Sequence, residues 1–411
     1  MITRRDMLRT AGGGLALAGA VPFLGRAALA ADDLGPPLLM PEGALAESVL
    51  EALPGKRPLI KRTYRPPNYE TPVAYFDEAY TPNDAFFVRY HLADIPEVSA
   101  ASWQLKVGGD AAERTVTLSL DDLKRDFERI ELAAVCQCSG NRRGLSNPHV
   151  PGVEWGYGAM GNAKWAGARL KDVLAKAGVK KEALEVAFQG ADGPVMATTP
   201  KFMKSLPLAK ALDDNTLVAY EMNGAPLPHW NGFPARIIVP GWTATYWMKH
   251  VTELDIIASP LKTFWLDTAY RIPLGKFPIV ERFTSHEGNG TTPITEMVIN
   301  SLITNLSGGE TVKVARPTDV RGIAWDGGYG VDLVEVSVDG GRNWDRATLG
   351  PDLGRFAWRQ WQFTFAPAEA GPLTIMAKAS NKVGATQVFD LIWNGAGYHN
   401  NVVQRLQLKA A

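Results

Sequence analysis

The sequence predicts an α+β protein in two folded parts: a mixed α/β region over residues 76–289, then an immunoglobulin-like β-sandwich over residues 290–411. Three observations carry that prediction. Before residue 290, short helical stretches interrupt strand-like runs without the regular βαβ alternation of a doubly wound parallel sheet. After it, runs of period two are separated by turn residues, the pattern of a sandwich. The 411 residues are 46% hydrophobic and 21% charged, which is ordinary for a globular protein and supplies enough apolar mass for large cores.

Residues 1–30 read as a targeting segment. Thr3-Arg4-Arg5-Asp6-Met7-Leu8-Arg9 is a twin-arginine pattern, residues 11–24 form an uncharged Gly/Ala-rich apolar run, and Ala28-Leu29-Ala30 is a small-x-small exit. That run is shorter than the ~20 apolar residues a bilayer span needs, and no later stretch reaches that length, so no membrane span is expected. The signal predicts export in the folded state to a bacterial periplasm, a route that favours proteins holding a cofactor. Residues 31–75 are Pro-rich (Pro36, Pro37, Pro41, Pro54, Pro66, Pro67) and read as an irregular arm laid over a domain. Ser119 opens a helix over residues 119–127, and Leu170 to Ala177 form another, closed by Gly178. Residues 185–188 and 235–239 read as strands. In the last region Val334-Glu335-Val336-Ser337-Val338 alternates and stops at the hairpin turn Asp339-Gly340-Gly341. Residues 361–365 and 373–377 alternate again.

Composition removes several function classes. Lys+Arg and Asp+Glu are both 43, so the formal net charge is zero, which argues against a general nucleic-acid binder. Two Cys exclude a disulfide-dense scaffold and a four-cysteine zinc or iron–sulfur site. The six His (91, 149, 229, 250, 286, 399) contain no His-Glu-x-x-His pair, and there is no Gly-x-Ser-x-Gly. Without a Cys-x-x-Cys-His motif, no haem is expected in this chain. Gly156-Tyr157-Gly158-Ala159-Met160-Gly161 matches G-x-G-x-x-G, but it lies outside any βαβ unit, which argues against a dinucleotide site.

Three segments remain that could carry chemistry. Val135-Cys136-Gln137-Cys138-Ser139-Gly140-Asn141-Arg142-Arg143-Gly144 places thiols, soft ligands for a transition metal, directly before two arginines. The blander alternatives are a strained Cys136–Cys138 disulfide and buried, inert thiols; a small buried residue behind the loop is the default for Cys136. In Phe86-Phe87-Val88-Arg89-Tyr90-His91, Arg89 and His91 share one face of a strand. Asn231-Gly232-Phe233-Pro234-Ala235-Arg236 leads to Trp247-Met248-Lys249. Singly, each cation reads as a solvated surface group. Together, Arg89, Arg142, Arg143, Arg236 and Lys249 interleave with aromatics and Gly/Pro turns, which suits an anionic ligand.

These segments resemble, in order, those of the sulfite oxidase family of molybdenum enzymes. Residues 138–143 resemble the family's cysteine loop, and residues 87–91 its pterin-binding strand. Lys164-Trp165-Ala166-Gly167-Ala168-Arg169-Leu170, Tyr220-Glu221-Met222-Asn223-Gly224 and Trp393-Asn394 follow in family order, so the likeness covers residues 76–405. It implies a molybdopterin-binding domain followed by an immunoglobulin-like dimerisation domain. Molybdenum would be carried by a single pterin dithiolene, with Cys138 as the protein's thiolate ligand to the metal. Arg89, Arg143, Trp165 and Tyr270 would line an anion pocket. The pterin and its phosphate would lie against Phe87, Val88, Arg89, Tyr90, His91, Arg142, Asp192, Asn231, Arg236, Trp247, Met248 and Lys249.

The sequence departs from the family at three places. Asn231 stands where the family has His, Tyr90 where it has Asn, and Gly395-Ala396-Gly397 removes a second-domain arginine. His399 is the candidate to replace that charge. The implied activity is oxidation of sulfite to sulfate, with electrons passing singly to a separate periplasmic c-type cytochrome. A homodimer is implied as well, with no nucleic-acid partner. The alternatives are a molybdenum-dependent reductase of a sulfoxide or nitrate, and a non-catalytic dimeric binding protein of the same fold.

Overall fold

The computed structural model describes residues 49–277 and 283–411. The targeting segment, Pro36, Pro37 and Pro41 lie outside the described residues. The described part of the proline-rich arm departs from expectation, because it is a sheet rather than irregular chain. Leu50–Glu51, Leu59–Thr63 and Asn68–Glu70 run antiparallel in that order and end against Val88–Arg89. The prolines sit at turns between strands, and Leu59, Tyr69, Val88 and Tyr90 close a small core beneath them.

The mixed region holds two five-stranded sheets. One runs Met203–Pro207, Glu185–Gly190, Val251–Ile257, Gln104–Gly108, Val116–Ser119, with a single parallel pair between its third and fourth strands. That topology agrees with the exclusion of a doubly wound fold. The other runs Ala225–Pro226, Leu217–Met222, Met160–Arg169, Ile130–Gln137, with Arg236–Ile238 also pairing Leu217–Met222. Here backbones approach so closely that a Cβ at Gly167 would lie 2.1 Å from the Val218 carbonyl oxygen. Both anticipated helices form. In Leu120–Arg125, Ser119 Oγ accepts from Asp122 N and the Asp122 carboxylate accepts from Ser119 N at 2.8 Å, a reciprocal cap. In Leu170–Ala177, Leu170, Val173, Leu174 and Ala177 are buried along one face, and Gly178 ends the helix at φ +73°.

From residue 300 the chain is the expected sandwich. One sheet runs Asn300–Ile303, Thr318–Trp325, Arg359–Phe365, Thr348–Leu349; the other runs Thr311–Val312, Gln404–Ala410, Gly371–Asn381, Val331–Ser337, Asp345–Arg346. Ile303, Val320 and Trp361 from the first meet Val334, Ile375 and Leu408 from the second in one core. A second cluster ties the sandwich to the mixed region: Val135 and Met160 pack with Leu302, Ile323 and Trp325, and Trp325 Nε1 donates to Gln137 Oε1 at 2.6 Å. The last residue of the Ile130–Gln137 strand is thereby fixed immediately before Cys138.

The glycine motif at residues 156–161 binds an anion, but an internal one. The Glu70 carboxylate accepts from Gly156 N and Gly158 N, both at 2.8 Å, and pairs with Arg62.

Candidate active site

The cysteine loop leaves its strand into a web of backbone hydrogen bonds. Cys138 N donates to Ala159 O at 2.9 Å, Arg142 N to Gly156 O at 2.8 Å and Arg143 N to Gly140 O at 2.9 Å. The Asn141 side chain accepts from Ala159 N at 3.0 Å. Neither thiol is in a disulfide, which removes that alternative. Both cysteines line a cavity holding about 610 Å³ of non-atom space, part of it open to solvent. Cys138 keeps 7% exposure there. Cys136 is 1% exposed, and burial pushes its thiol up to about 11, so it stays protonated.

Eleven of the expected site residues line this cavity: Phe87, Arg89, His91, Cys138, Asp192, Asn231, Arg236, Trp247, Met248, Lys249 and Tyr270. Arg89 Nη2 lies 3.4 Å from the Tyr270 hydroxyl, which also shares a hydrogen bond with His91 Nε2. Burial works to discharge Arg89, but the facing Tyr270 hydroxyl and Cys138 sulfur outweigh it, and its pKa rises overall. For His91, burial and then the charges of Arg89, Lys249 and Lys204 hold the pKa well below the usual value, so the imidazole is neutral. Lys249 donates to Arg89 O and sits 3.9 Å above the Tyr90 ring; burial lowers it to about 7, with Asp192 opposing. Arg236 donates to Asn231 O at 2.9 Å and to Trp247 O at 3.0 Å. Asn231, in the family's His position, accepts from Lys56 Nζ at 2.5 Å and donates to Phe87 O at 3.1 Å.

Six expected residues do not reach the cavity wall, each for a visible reason. Val88 alternates to the opposite face of its strand, into the small core with Leu59 and Tyr69. Tyr90 does the same, its hydroxyl 2.7 Å from His250 Nε2. Trp165 is a buried support, donating to Ala134 O at 3.0 Å and packed edge-on against Trp247. Arg142 turns away at φ +69° and donates to Val402 O at 2.8 Å and Ser301 O at 3.0 Å, so it ties the loop to the sandwich instead of holding a cofactor. Arg143 donates to Ala396 O at 2.8 Å and lies 5.4 Å over the Tyr398 ring; its charge acts on Tyr270 from beside the cavity. His399 is buried against Phe277, and burial lowers its pKa to about 4. A neutral imidazole cannot replace an arginine near pH 7, so that expectation is corrected.

The cavity also has walls that sequence reading missed. Phe202 stacks on His91 with ring centroids 3.7 Å apart, and Phe86, Trp230, Ser139, Ala244 and Thr245 also line the cavity. Tyr398 stacks parallel on Tyr270 at 5.7 Å. It is adjacent to His399 and one step past Gly397, so it was within reach of the segment already singled out. No spacing signal marks Phe202 or Thr245.

This donor set fits a pterin-bound metal. Among the described residues no three His, Cys, Asp or Glu side chains converge, so a metal at Cys138 would need ligands from a carrier. Ser139 Oγ, Thr245 Oγ1 and Arg236 Nε are buried at the cavity without protein partners, and they are polar contacts available to such a carrier.

Comparison with known proteins agrees with the geometry. An oxidoreductase molybdopterin binding domain matches residues 91–265, and a Mo-co oxidoreductase dimerisation domain matches residues 291–411. The mitochondrial sulfite oxidase of Macaca fascicularis is 36% identical over 375 residues, 87% of this chain and 67% of that protein. The sulfite oxidase of Gallus gallus is 35% identical over 81% of this chain and 74% of its own. The NAD(P)H nitrate reductase of Hordeum vulgare is 29% identical over 80% of this chain but 39% of its own length. The chain spans about two thirds of the length of the mitochondrial relatives. Among solved structures, the sulfane dehydrogenase SoxCD from Paracoccus pantotrophus matches with a TM-score of 0.71 at 24% identity, covering 97% of this chain and 93% of that one, a likeness of fold.

Proposed function

The chain belongs to the sulfite oxidase family of molybdenum oxidoreductases, and on that premise we propose that it is a periplasmic sulfite dehydrogenase that passes electrons one at a time to a c-type cytochrome. The observation that carries this reading is the Cys138 thiol opening onto a cavity shared with Arg89, Tyr270 and a neutral His91. When bound, the molybdenum–pterin group supplies two-electron oxygen-atom transfer. Cys138 would hold the metal; Arg236, Lys249, Asn231, Ser139 and Thr245 would hold the pterin.

The chain's own residues then bind and orient the substrate. The Arg89 guanidinium supplies charge-assisted hydrogen bonds to the oxygens of a sulfite dianion. The Tyr270 hydroxyl is placed by two neighbours, Arg89 and His91, to hydrogen-bond an oxygen in the same space. A neutral His91 shares one hydrogen bond with that hydroxyl, in a direction set by its tautomer. Arg143 adds positive potential beside Tyr270 and Tyr398. Phe202, stacked on His91, and Trp230 add apolar wall to the cavity.

The cytochrome acceptor is supported by the absence of a haem-attachment motif from the sequence, and the periplasm by the twin-arginine pattern. The dimerisation-domain match supports a homodimer. Among the described residues no helix is long and apolar enough to cross a membrane. The test is metal analysis with sulfite-dependent cytochrome c reduction on protein from the natural source. One molybdenum per chain with rapid sulfite turnover is expected. Molybdenum without sulfite turnover would favour a sulfoxide or nitrate reductase, and full competence without molybdenum would overturn the proposal.

A further inference from the structure

Tyr270 requires holding. Its backbone sits at φ +59°, a left-handed conformation that is unfavourable for an L-residue and persists only where neighbours impose it. One of those neighbours is a buried lysine that does not line the cavity. Lys204, on the strand Met203–Pro207, is 0% exposed. Its Nζ donates to Trp265 O at 2.7 Å and lies 5.1 Å from the Tyr270 ring centroid and 4.5 Å from that of Tyr246; burial, and then Arg271, hold its pKa well below the usual lysine value. Trp265 belongs to the turn Phe264–Asp267 that leads into Tyr270. One side chain therefore contacts both a carbonyl within this turn and the Tyr270 ring just beyond it. Tyr398 stacks on the same phenol, whose hydroxyl meets Arg89 and His91.

We infer that Lys204 is a positioning residue for the proposed reaction: by clamping the turn and lying against the Tyr270 ring, it fixes the Tyr270 hydroxyl where the substrate oxyanion binds. This rests on the reading of the cavity as an oxyanion site. Lys204 does not line the cavity, so its proposed effect on the substrate passes chiefly through Tyr270, beside a smaller influence on His91.

That last property is what the experiment reads. K204Q, K204R, Y270F and the double variant K204Q/Y270F are compared as molybdenum-loaded enzymes. The readouts are sulfite KM and kcat, sulfate affinity of the oxidised enzyme by calorimetry, and amide hydrogen exchange over residues 264–271. K204Q is expected to weaken sulfite KM and sulfate affinity about tenfold, the order of one lost buried hydrogen bond, with faster exchange over that turn and a smaller change in kcat. K204R, which keeps a donor for Trp265 O, is expected within about threefold of the parent. In the Y270F background, K204Q is expected to change KM and sulfate affinity by less than about twofold. Equal effects of K204Q in both backgrounds, parental behaviour of K204Q, or unchanged exchange over the turn would overturn the inference. If K204Q does not fold, K204M fills the same volume without the donor to Trp265 O and carries the same cycle. Parental sulfite KM and sulfate affinity in Y270F would instead overturn the reading of the cavity, and the role of Lys204 with it.

Discussion

Replacing Arg142 by Met separates the two roles this arginine could have. Its guanidinium is 2% exposed and donates to the carbonyls of Val402 and Ser301, both in the sandwich. Met leaves those two buried acceptors without their charged donor, a loss of roughly 1.5–3 kcal/mol each. Against this stands relief from burying a charge, whose cost is visible in the lowering of the Arg142 pKa to about 10. The net loss is about 3 kcal/mol, which in a chain of this size lowers the melting temperature by roughly 3–4 °C. The assay is thermal unfolding of the loaded enzyme, with molybdenum content and sulfite KM measured on the same preparation. Arg142→Met should melt earlier yet hold its metal and bind sulfite as the parent does. An unchanged melting temperature with lost molybdenum would refute the reasoning and return Arg142 to the cofactor.

Two further predictions follow from crowded or buried groups. Gly397 sits at φ +62°, and a Cβ there would lie 2.7 Å from Arg143 Cγ, so Gly397→Ala must displace Arg143. Sulfite KM should rise about fivefold with a stability loss of roughly 1–2 kcal/mol; an unchanged KM would show that Arg143 does not influence substrate binding. Lys56 is held at about 7 by burial, below its usual 10.5, so the unfolded chain binds the extra proton first as pH falls. Stability should therefore drop as pH is lowered from about 10 to 7 and level off below 7, and Lys56→Met should lack that component; denaturant unfolding at each pH checks it, and equal slopes for both proteins would contradict it.

Much of this architecture was legible because the signals are local. Ser119 with Asp122 writes its own helix cap, Leu170, Val173, Leu174 and Ala177 repeat at helical spacing, and Asp339-Gly340-Gly341 marks a turn by itself. The N-terminal sheet was hidden because its prolines, which punctuate the strand ends, look from composition like irregular chain, while its pairing partner Val88–Arg89 lies beyond the arm. The cavity divides in the same way. Cys138, Arg89 and Tyr270 sit in distinctive segments, and the fold brings them together. Alternation on the Val88–Arg89 strand already implied that Val88 and Tyr90 face away from Arg89 and His91. The direction of Arg142, set by a left-handed backbone and carbonyls more than 150 residues away, has no sequence signature. Nor does the burial that makes His399 neutral and encloses Lys204 against two tyrosines.

The sulfur of Cys138 is the protein's proposed hold on the metal, and Cys138→Ser tests that role most directly. Sulfite-dependent cytochrome c reduction, measured beside the parent on protein shown to be folded by circular dichroism, should be almost completely lost. A folded Cys138→Ser protein that turns over sulfite at the parental rate would contradict the account.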